Sequence, residues 1–381
     1  MKTNQLIWED GDSWESYEDA VEITPQLVLF FGSTSLLEEQ EFFQQLQEMY
    51  PKATLVGCTT AGEIIGDEVL DDSIVATAIE FEKTTINSAS ILIGDTEGSL
   101  DAGKILGKEI KADNLKSVLV ISDGGSVNGS ELVEGLTEIL GTDVIITGGL
   151  AGDGGRFEKT LVAYNATPEQ GRIVVIGFEG EAVQVGHGSV GGWDAFGPER
   201  KITRSEANVL YELDGKPALE LYKGYLGDKA SELPGSALLF PLMIRPSGQE
   251  EVGTVRTILT VNEEDQSMTF AGDVPEGYSA QLMMANFDRL VAGASEAAKF
   301  ALNKEEEEME SDTLAILISC VGRKMVLGQR TADEVESVMD IMGGAKQIGF
   351  YSYGEISPHV EVGNCQLHNQ TMTITSITEK V

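Results

Sequence analysis

The sequence predicts a mixed α/β fold with largely antiparallel sheets, arranged as two domains with internally repeated strand–helix–strand–strand units and helices covering stacked sheets. Three observations carry this. Strand-like runs follow one another directly more often than they alternate with helices, which argues against a doubly wound parallel sheet. The order strand, helix, strand, Gly-rich turn, strand recurs along the chain. One short phrase, VGCTTAGEI at 56–64, returns as IGFYSYGEI at 348–356. At 381 residues the chain is also too long for one ordinary core.

The elements follow in order. LVLFF at 27–31 is a continuous apolar run, the signature of a strand buried on both faces. Ser33, Thr34 or Ser35 can cap the helix LLEEQEFFQQLQEMY, and Pro51 ends it. ATLVGCTTAGEI then reads as a strand entering a Gly-rich turn, and DSIVATAIEF and INSASILIG as β-branched strands. The order returns with SVLVISD at 117–123, the helix SELVEGLTEIL, the strand and turn TDVIITGGLAGDGG, and the strands TLVAYNAT, RIVVIGFEG and EAVQVGHGSV. It returns again with TLAILISC at 313–320, the helix TADEVESVMDIM, AKQIGFYSYGEI and the last strand NCQLHNQTMTITSI. A fourth, degenerate copy is read at 238–303, in SALLFPLMI, TVRTILTV, YSAQLMMAN and the helix FDRLVAGASEAAKFAL. The Gly- and Pro-rich stretch from 190 to 236 holds the domain boundary, set between 213 and 214. Within it, EANVLYELDGKPALELY reads as a strand, an Asp-Gly turn and a short helix opened by Pro217. EEEEME at 305–310 reads as a solvated loop or a fraying helix end.

Charge narrows the function. With 26 Lys+Arg against 63 Asp+Glu the net charge is −37, which repels nucleic acid and anionic membrane surfaces alike. A solubilising surface is the preferred reading of that excess. No run of apolar residues is long enough to span a bilayer, and the start lacks a signal-peptide pattern. Cys58, Cys320 and Cys365 form no even framework and no C-x-x-C pair, so reduced cytoplasm is the expected compartment.

The repeated turn is the first candidate site. Thr60 and Ser352 stand in register, as do Glu63 and Glu355, with Asp153 of LAGDGG as the middle counterpart. Such turns expose N–H groups that hold a carboxylate, and an adjacent acid can hold an ammonium group. Those are the two ends of an amino acid. The competing reading is that each acid bonds its own turn. Arg323, just after a buried strand, has the type and place of a carboxylate clamp, whereas Arg330 reads better as a surface salt bridge. Tyr351 and Tyr353 wall an aromatic pocket, or else simply alternate against a core-facing Phe350. His368, Asn369, Gln370 and Thr371 supply consecutive donors and acceptors, or cap the neighbouring turn. The three histidines, His187, His359 and His368, lack the spacing of a zinc site. A haem ligated by His187 or His368 stays open. Thr60, Ser352 and Cys58 are conceivable nucleophiles, but no base is written beside them, and no P-loop lysine or G-x-S-x-G elbow is present.

These stretches resemble the FIST domain proteins of bacterial signal transduction. FGSTS, VGCTTAGEI and ITRSEANVLYELDGKPALELY carry the resemblance to the N-terminal module, residues 1–213. FPLMI, SCVGRKMVLGQRT, IGFYSYGEI and CQLHNQTMTIT carry it to the C-terminal module, residues 214–381. The resemblance implies non-catalytic, intracellular sensing of a small molecule such as an amino acid. A haem-based nitric oxide sensor is the alternative, and an enzyme with a Ser/Thr nucleophile ranks below both. Fused output domains are common in the family, and no kinase, cyclase or chemoreceptor segment fits this sequence. A separate partner such as a kinase or cyclase is therefore expected. The expected ligand-binding set rests on side-chain chemistry: Thr60, Glu63, Arg323, Tyr351, Ser352, Tyr353, Glu355, His368 and Asn369.

Overall fold

The run LVLFF becomes the strand Leu27–Gly32, buried along its whole length. A computed structural model describes it together with the rest of residues 1–9, 13–248, 253–302, 313–359 and 363–380. The acidic run at 305–310 lies outside the described residues. Leu27–Gly32 pairs in parallel with Thr54–Thr59 and antiparallel with Ile74–Glu80, and Lys2–Trp8 extends the sheet beyond Ile74–Glu80. The expected single helix is broken at Glu38–Gln40 into Thr34–Leu37 and Glu41–Met49, and Ser33 bonds Ser35 rather than capping a backbone N–H. Phe42, Phe43 and Leu46 form the stripe by which Glu41–Met49 covers the sheet.

The same plan recurs twice. The second sheet is built on Leu115–Ser122 and Ile145–Leu150 in parallel, flanked antiparallel by Arg172–Glu179 and then Thr85–Leu92. The third is built on Leu314–Cys320 and Lys346–Ser352 in parallel, flanked by Met372–Glu379 and then Val183–Val190. All other pairings in these sheets are antiparallel, so the mixed and largely antiparallel class read from the sequence is what the chain adopts.

The strand after each Gly-rich turn leaves its own sheet. Glu63–Ile65 pairs with Lys346–Ser352, Gly354–Pro358 with Ile145–Leu150, and Val162–Tyr164 with Thr54–Thr59. Each unit lends an arm to a neighbour, and the exchange closes into a ring. At its centre one hydrogen bond repeats three times: Ala61 N–H to Tyr351 O (2.8 Å), Tyr353 N–H to Leu150 O (3.1 Å), and Gly152 N–H to Thr59 O (3.0 Å). The sheets bring Phe31, Ile121 and Ile318 into one shared core, where the Phe31 and Phe350 rings lie 4.6 Å apart. Helices Ser99–Ile110 and Gly129–Leu140 cover the outside of the second sheet, and Phe287–Ala301 and Thr331–Met342 that of the third.

This register explains one constant of the repeat. Gly57, Gly148 and Gly349 face Phe30, Val120 and Leu317 on the parallel neighbour. A Cβ there would lie 2.2, 2.0 and 1.8 Å from those residues' carbonyl oxygens. Gly349→Ala is therefore expected to cost ~3 kcal/mol, the upper end of ordinary overpacking, read as a lower urea midpoint.

The expected fourth copy is different in kind. Leu242–Arg245, Thr254–Arg256 and Ser279–Met284 are antiparallel neighbours with no crossover helix between them among the described residues, part of an inserted β-layer spanning 194–284. Helix Phe287–Ala301 instead belongs to the third unit. The 213/214 boundary falls in a tight hairpin of this insert, where Leu213 pairs with Lys216. Asp214 and Gly215 both take positive φ, as an Asp-Gly turn of this type requires. Pro217 then opens helix Ala218–Leu226, as its place in the sequence suggested. No helix of the described residues is long and apolar enough to cross a membrane.

Candidate functional site

The two glutamates of the repeated turn are buried and hold their own turns. Glu63 accepts from the Thr60 hydroxyl and from Ser73 Oγ (2.9 Å). Glu355 accepts from Ser352 Oγ (2.6 Å), Thr371 Oγ1 (3.0 Å) and Thr371 N–H (3.2 Å). Burial raises Glu63 to about 7 and Glu355 to about 8, against the partial opposition of these hydrogen bonds. Both acids are buried and spend their oxygens on their own turns, so the expectation that they meet a ligand, with Thr60 and Ser352 beside them, is corrected. The hydroxyl–carboxylate pair is a brace inside the turn. The register also shifts the middle copy: Gly154 stands where Glu63 and Glu355 stand, and Ala151 where the hydroxyls stand. Asp153 instead accepts the N–H groups of Phe157, Glu158 and Lys159 and the Tyr353 hydroxyl. Burial works to raise its pKa, but these bonds outweigh it and hold the carboxyl below its ordinary value.

Arg323 is likewise no ligand clamp. It is fully buried and paired with Glu334 through Nε (3.0 Å) and Nη2 (2.7 Å), and its remaining donors reach the carbonyls of Gly191 and Leu290. The Tyr351 hydroxyl (2.8 Å) and Ser319 Oγ (3.1 Å) donate to the other Glu334 oxygen. Glu334 was not anticipated, although its signal is in the sequence: it sits on the buried face formed by Thr331, Val335, Val338 and Met342. Arg330 makes the surface pairs expected of it, to Asp288 and Asp333.

His368 is buried, lowered to about 4 chiefly by that burial, and its Nε2 lies 3.1 Å from the Ser357 carbonyl. His187 lies within strand Val183–Val190 and lines a cavity of about 130 Å³, below the usual size of a small-molecule site. The geometry gives no support to haem ligation by either histidine. Asn369 is buried with neither amide atom partnered among the described residues.

One residue of the expected set, Tyr353, lines a substantial cavity. About 340 Å³ opens between the loop Gly124–Gly129, residues Cys320–Gly322, and the insert residues Thr257, Phe270 and Asp273. Tyr353 stacks on Phe157 at 4.5 Å and 17°, giving an aromatic wall. The loop is shaped by buried Asp123, which accepts from Gly125 N–H (2.9 Å), Ser126 N–H (2.7 Å), Thr160 Oγ1 (3.0 Å) and Gly171 N–H (3.0 Å). Asn128 caps helix Gly129–Leu140 through Ser130 N–H (3.0 Å) and donates from Nδ2 to Asp273 Oδ1 (3.4 Å). Asp273 Oδ2 has no hydrogen-bond partner among the described residues. The Cys320 thiol also lines the cavity, but burial and the neighbouring Glu355 charge raise its pKa, so it is no ready thiolate.

Comparison with known proteins decides the family. The FIST N domain matches residues 26–216 and the FIST C domain residues 218–358. The chain belongs to the FIST family. FIST domains are sensory domains of signal transduction. An uncharacterized protein of Methanocaldococcus jannaschii is 24% identical over 372 residues, covering 89% of this chain and 68% of the relative. A solved cyanuric acid hydrolase from A. caulinodans aligns with 78% of this chain and all of its own at 10% identity and a TM-score of 0.20, too low to carry any argument.

The two FIST modules do not own separate sheets. The FIST N arm Glu63–Ile65 completes the sheet of Lys346–Ser352, and the FIST C arm Gly354–Pro358 completes that of Ile145–Leu150. The cavity is accordingly shared, with Gly124–Gly129, Phe157 and Asn208 from FIST N and Thr257, Phe270, Asp273, Cys320 and Tyr353 from FIST C. The sequence reading missed most of these residues because each stands in a loop or at the end of a strand with no signal of its own, and only the ring and the insert together bring them close.

Proposed function

We propose that this FIST protein is a non-catalytic sensor of a small molecule, an amino acid or related metabolite, bound in the cavity between Tyr353 and Asp273. The observation that carries this reading is the lining. About 340 Å³ of space falls within the range of small-molecule sites and combines an aromatic wall with one carboxylate that has an unused oxygen. An amino acid would set its ammonium group on Asp273 and its apolar part against Phe157, Tyr353 and Phe270. Because the ring and the insert both contribute walls, an occupant biases the insert's placement, and a separate kinase or cyclase reads that change. The raised thiol pKa values of Cys58 and Cys320 and the buried braces of the turns support binding rather than catalysis. Free cysteines support a cytoplasmic setting.

A thermal-shift screen over the amino acids and related metabolites tests the reading. A ligand at a hundred times its Kd adds roughly 2.7 kcal/mol of stability. Asp273→Asn is expected to weaken the responding ligand tenfold or more, since a hydrogen bond to a charged group contributes about 1.5–3 kcal/mol. A flat response across the whole panel would remove the proposal's support.

A further inference from the structure

Asp273 also lines a second, larger and solvent-open cavity of about 600 Å³, bordered by helix Gly129–Leu140, strand Cys365–His368 and the insert strand Thr254–Arg256. Arg256 forms part of its wall and is only 7% exposed. Its Nε donates to the Asp273 carbonyl (3.0 Å) and its Nη1 to the Leu367 carbonyl (2.9 Å). Nη2 has no partner among the described residues. Gly272 packs on the guanidinium, where a Cβ would lie 3.0 Å from Nε. Arg323, the other deeply buried arginine, has Glu334. Arg256 has no ion pair among the described residues, in a chain with 63 acidic residues. Its unpaired Nη2 keeps a face open to the cavity, and the only carboxylate charge that acts on it among the described residues, that of Asp273, neutralises it without a direct hydrogen bond.

Two further polar groups of the same cavity are also idle. Ser130 Oγ is buried without a partner, and the Tyr278 hydroxyl has none among the described residues. Arginine and two hydroxyls are the donor set of an oxyanion site. Glu134 and Glu138 on the helical wall disfavour a second negative charge, which selects a carboxylate over a phosphate dianion. We propose that this cavity is a second small-molecule site that takes a carboxylate on Arg256, with Ser130 and Tyr278 as further donors. The inference does not require the first cavity to be filled, although the two cavities share Asp273.

The test is calorimetric titration of the full chain with sodium butyrate and, separately, inorganic phosphate, at fixed ionic strength. Saturable butyrate binding is expected, weakened about tenfold by Ser130→Ala and by Tyr278→Phe and about a hundredfold by Arg256→Gln. The two hydroxyl variants remove groups that hold nothing in the unliganded protein, so they keep the test decisive should Arg256→Gln fail to fold. Phe157→Ala, in the other cavity, should leave butyrate binding unchanged. Absence of saturable butyrate binding, or equal binding by wild type and the hydroxyl variants, overturns the proposal. Tighter binding of phosphate with the same dependence on Ser130 and Tyr278 overturns the choice of a carboxylate.

Discussion

Arg323→Met is expected to lower folding stability by about 3–5 kcal/mol, the cost of stranding one member of a buried ion pair. The arginine and Glu334 are both fully buried. Without the guanidinium, Glu334 keeps only the Tyr351 and Ser319 hydroxyls, and the Leu290 and Gly191 carbonyls lose their donor. Urea denaturation monitored by far-UV circular dichroism reads the loss directly. Removing both charges is expected to be milder than removing one, so Arg323→Met with Glu334→Leu should recover part of the stability. A single variant within 1 kcal/mol of wild type, by roughly the measure of an exposed pair, would show that the network does not carry the weight its burial implies.

Stability should fall as pH rises from 6.5 to 8, by about 2 kcal/mol. The sign follows from proton counting. Burial raises Glu63 to about 7 and Glu355 to about 8, from an ordinary 4.5. In this window the unfolded chain has released both protons while the folded chain still holds one or both, so added base favours unfolding. His368 and His187 act oppositely, because burial lowers both, His368 from 6.5 to about 4. The contribution of His368 rises from about pH 4 and is still half a proton short of complete at pH 6.5, so it offsets only about 0.4 kcal/mol of the decline above and leaves the glutamates to dominate. Glu355→Gln should remove about 1.5 kcal/mol of the decline, and chemical denaturation at pH 6.5, 7.2 and 8.0 measures it. A wild-type protein equally stable at all three values would mean that the turn braces do not titrate as their burial requires.

Most local signals in the sequence survived into the structure, the unbroken helix after Ser33 excepted, while long-range ones had no local trace. LVLFF is a fully buried strand because both of its faces pack, one toward the shared core and one toward the helix Glu41–Met49. Asp214-Gly215 is the hairpin its dipeptide announces. The recurrence of Gly57 and Gly349 has a steric cause, and Gly148 shares it although its surrounding phrase has drifted. That drift is why Asp153 was aligned with the glutamates one position out of register. The destination of each arm could not be read, since nothing in GEII says that it will pair almost at the other end of the chain, beside Ile348 and Gly349. Arg323 showed its place at a strand end but not its partner, because Glu334 arrives from a different helix. The candidate cavity was least legible of all. Its carboxylate, its aromatic wall and its capped helix come from separate stretches, and the acids that looked functional are those that the fold consumes in holding its turns.

The circular lending of arms also bears on how the molecule assembles. A fragment ending at the hairpin near residue 216 would carry Glu63–Ile65 with no host strand, and its complement would carry Gly354–Pro358 in the same state. Half-molecules would display raw sheet edges prone to sticking. Mutual dependence of this kind makes melting a single concerted event and makes first-time folding slow, because distant stretches must meet before any sheet is finished.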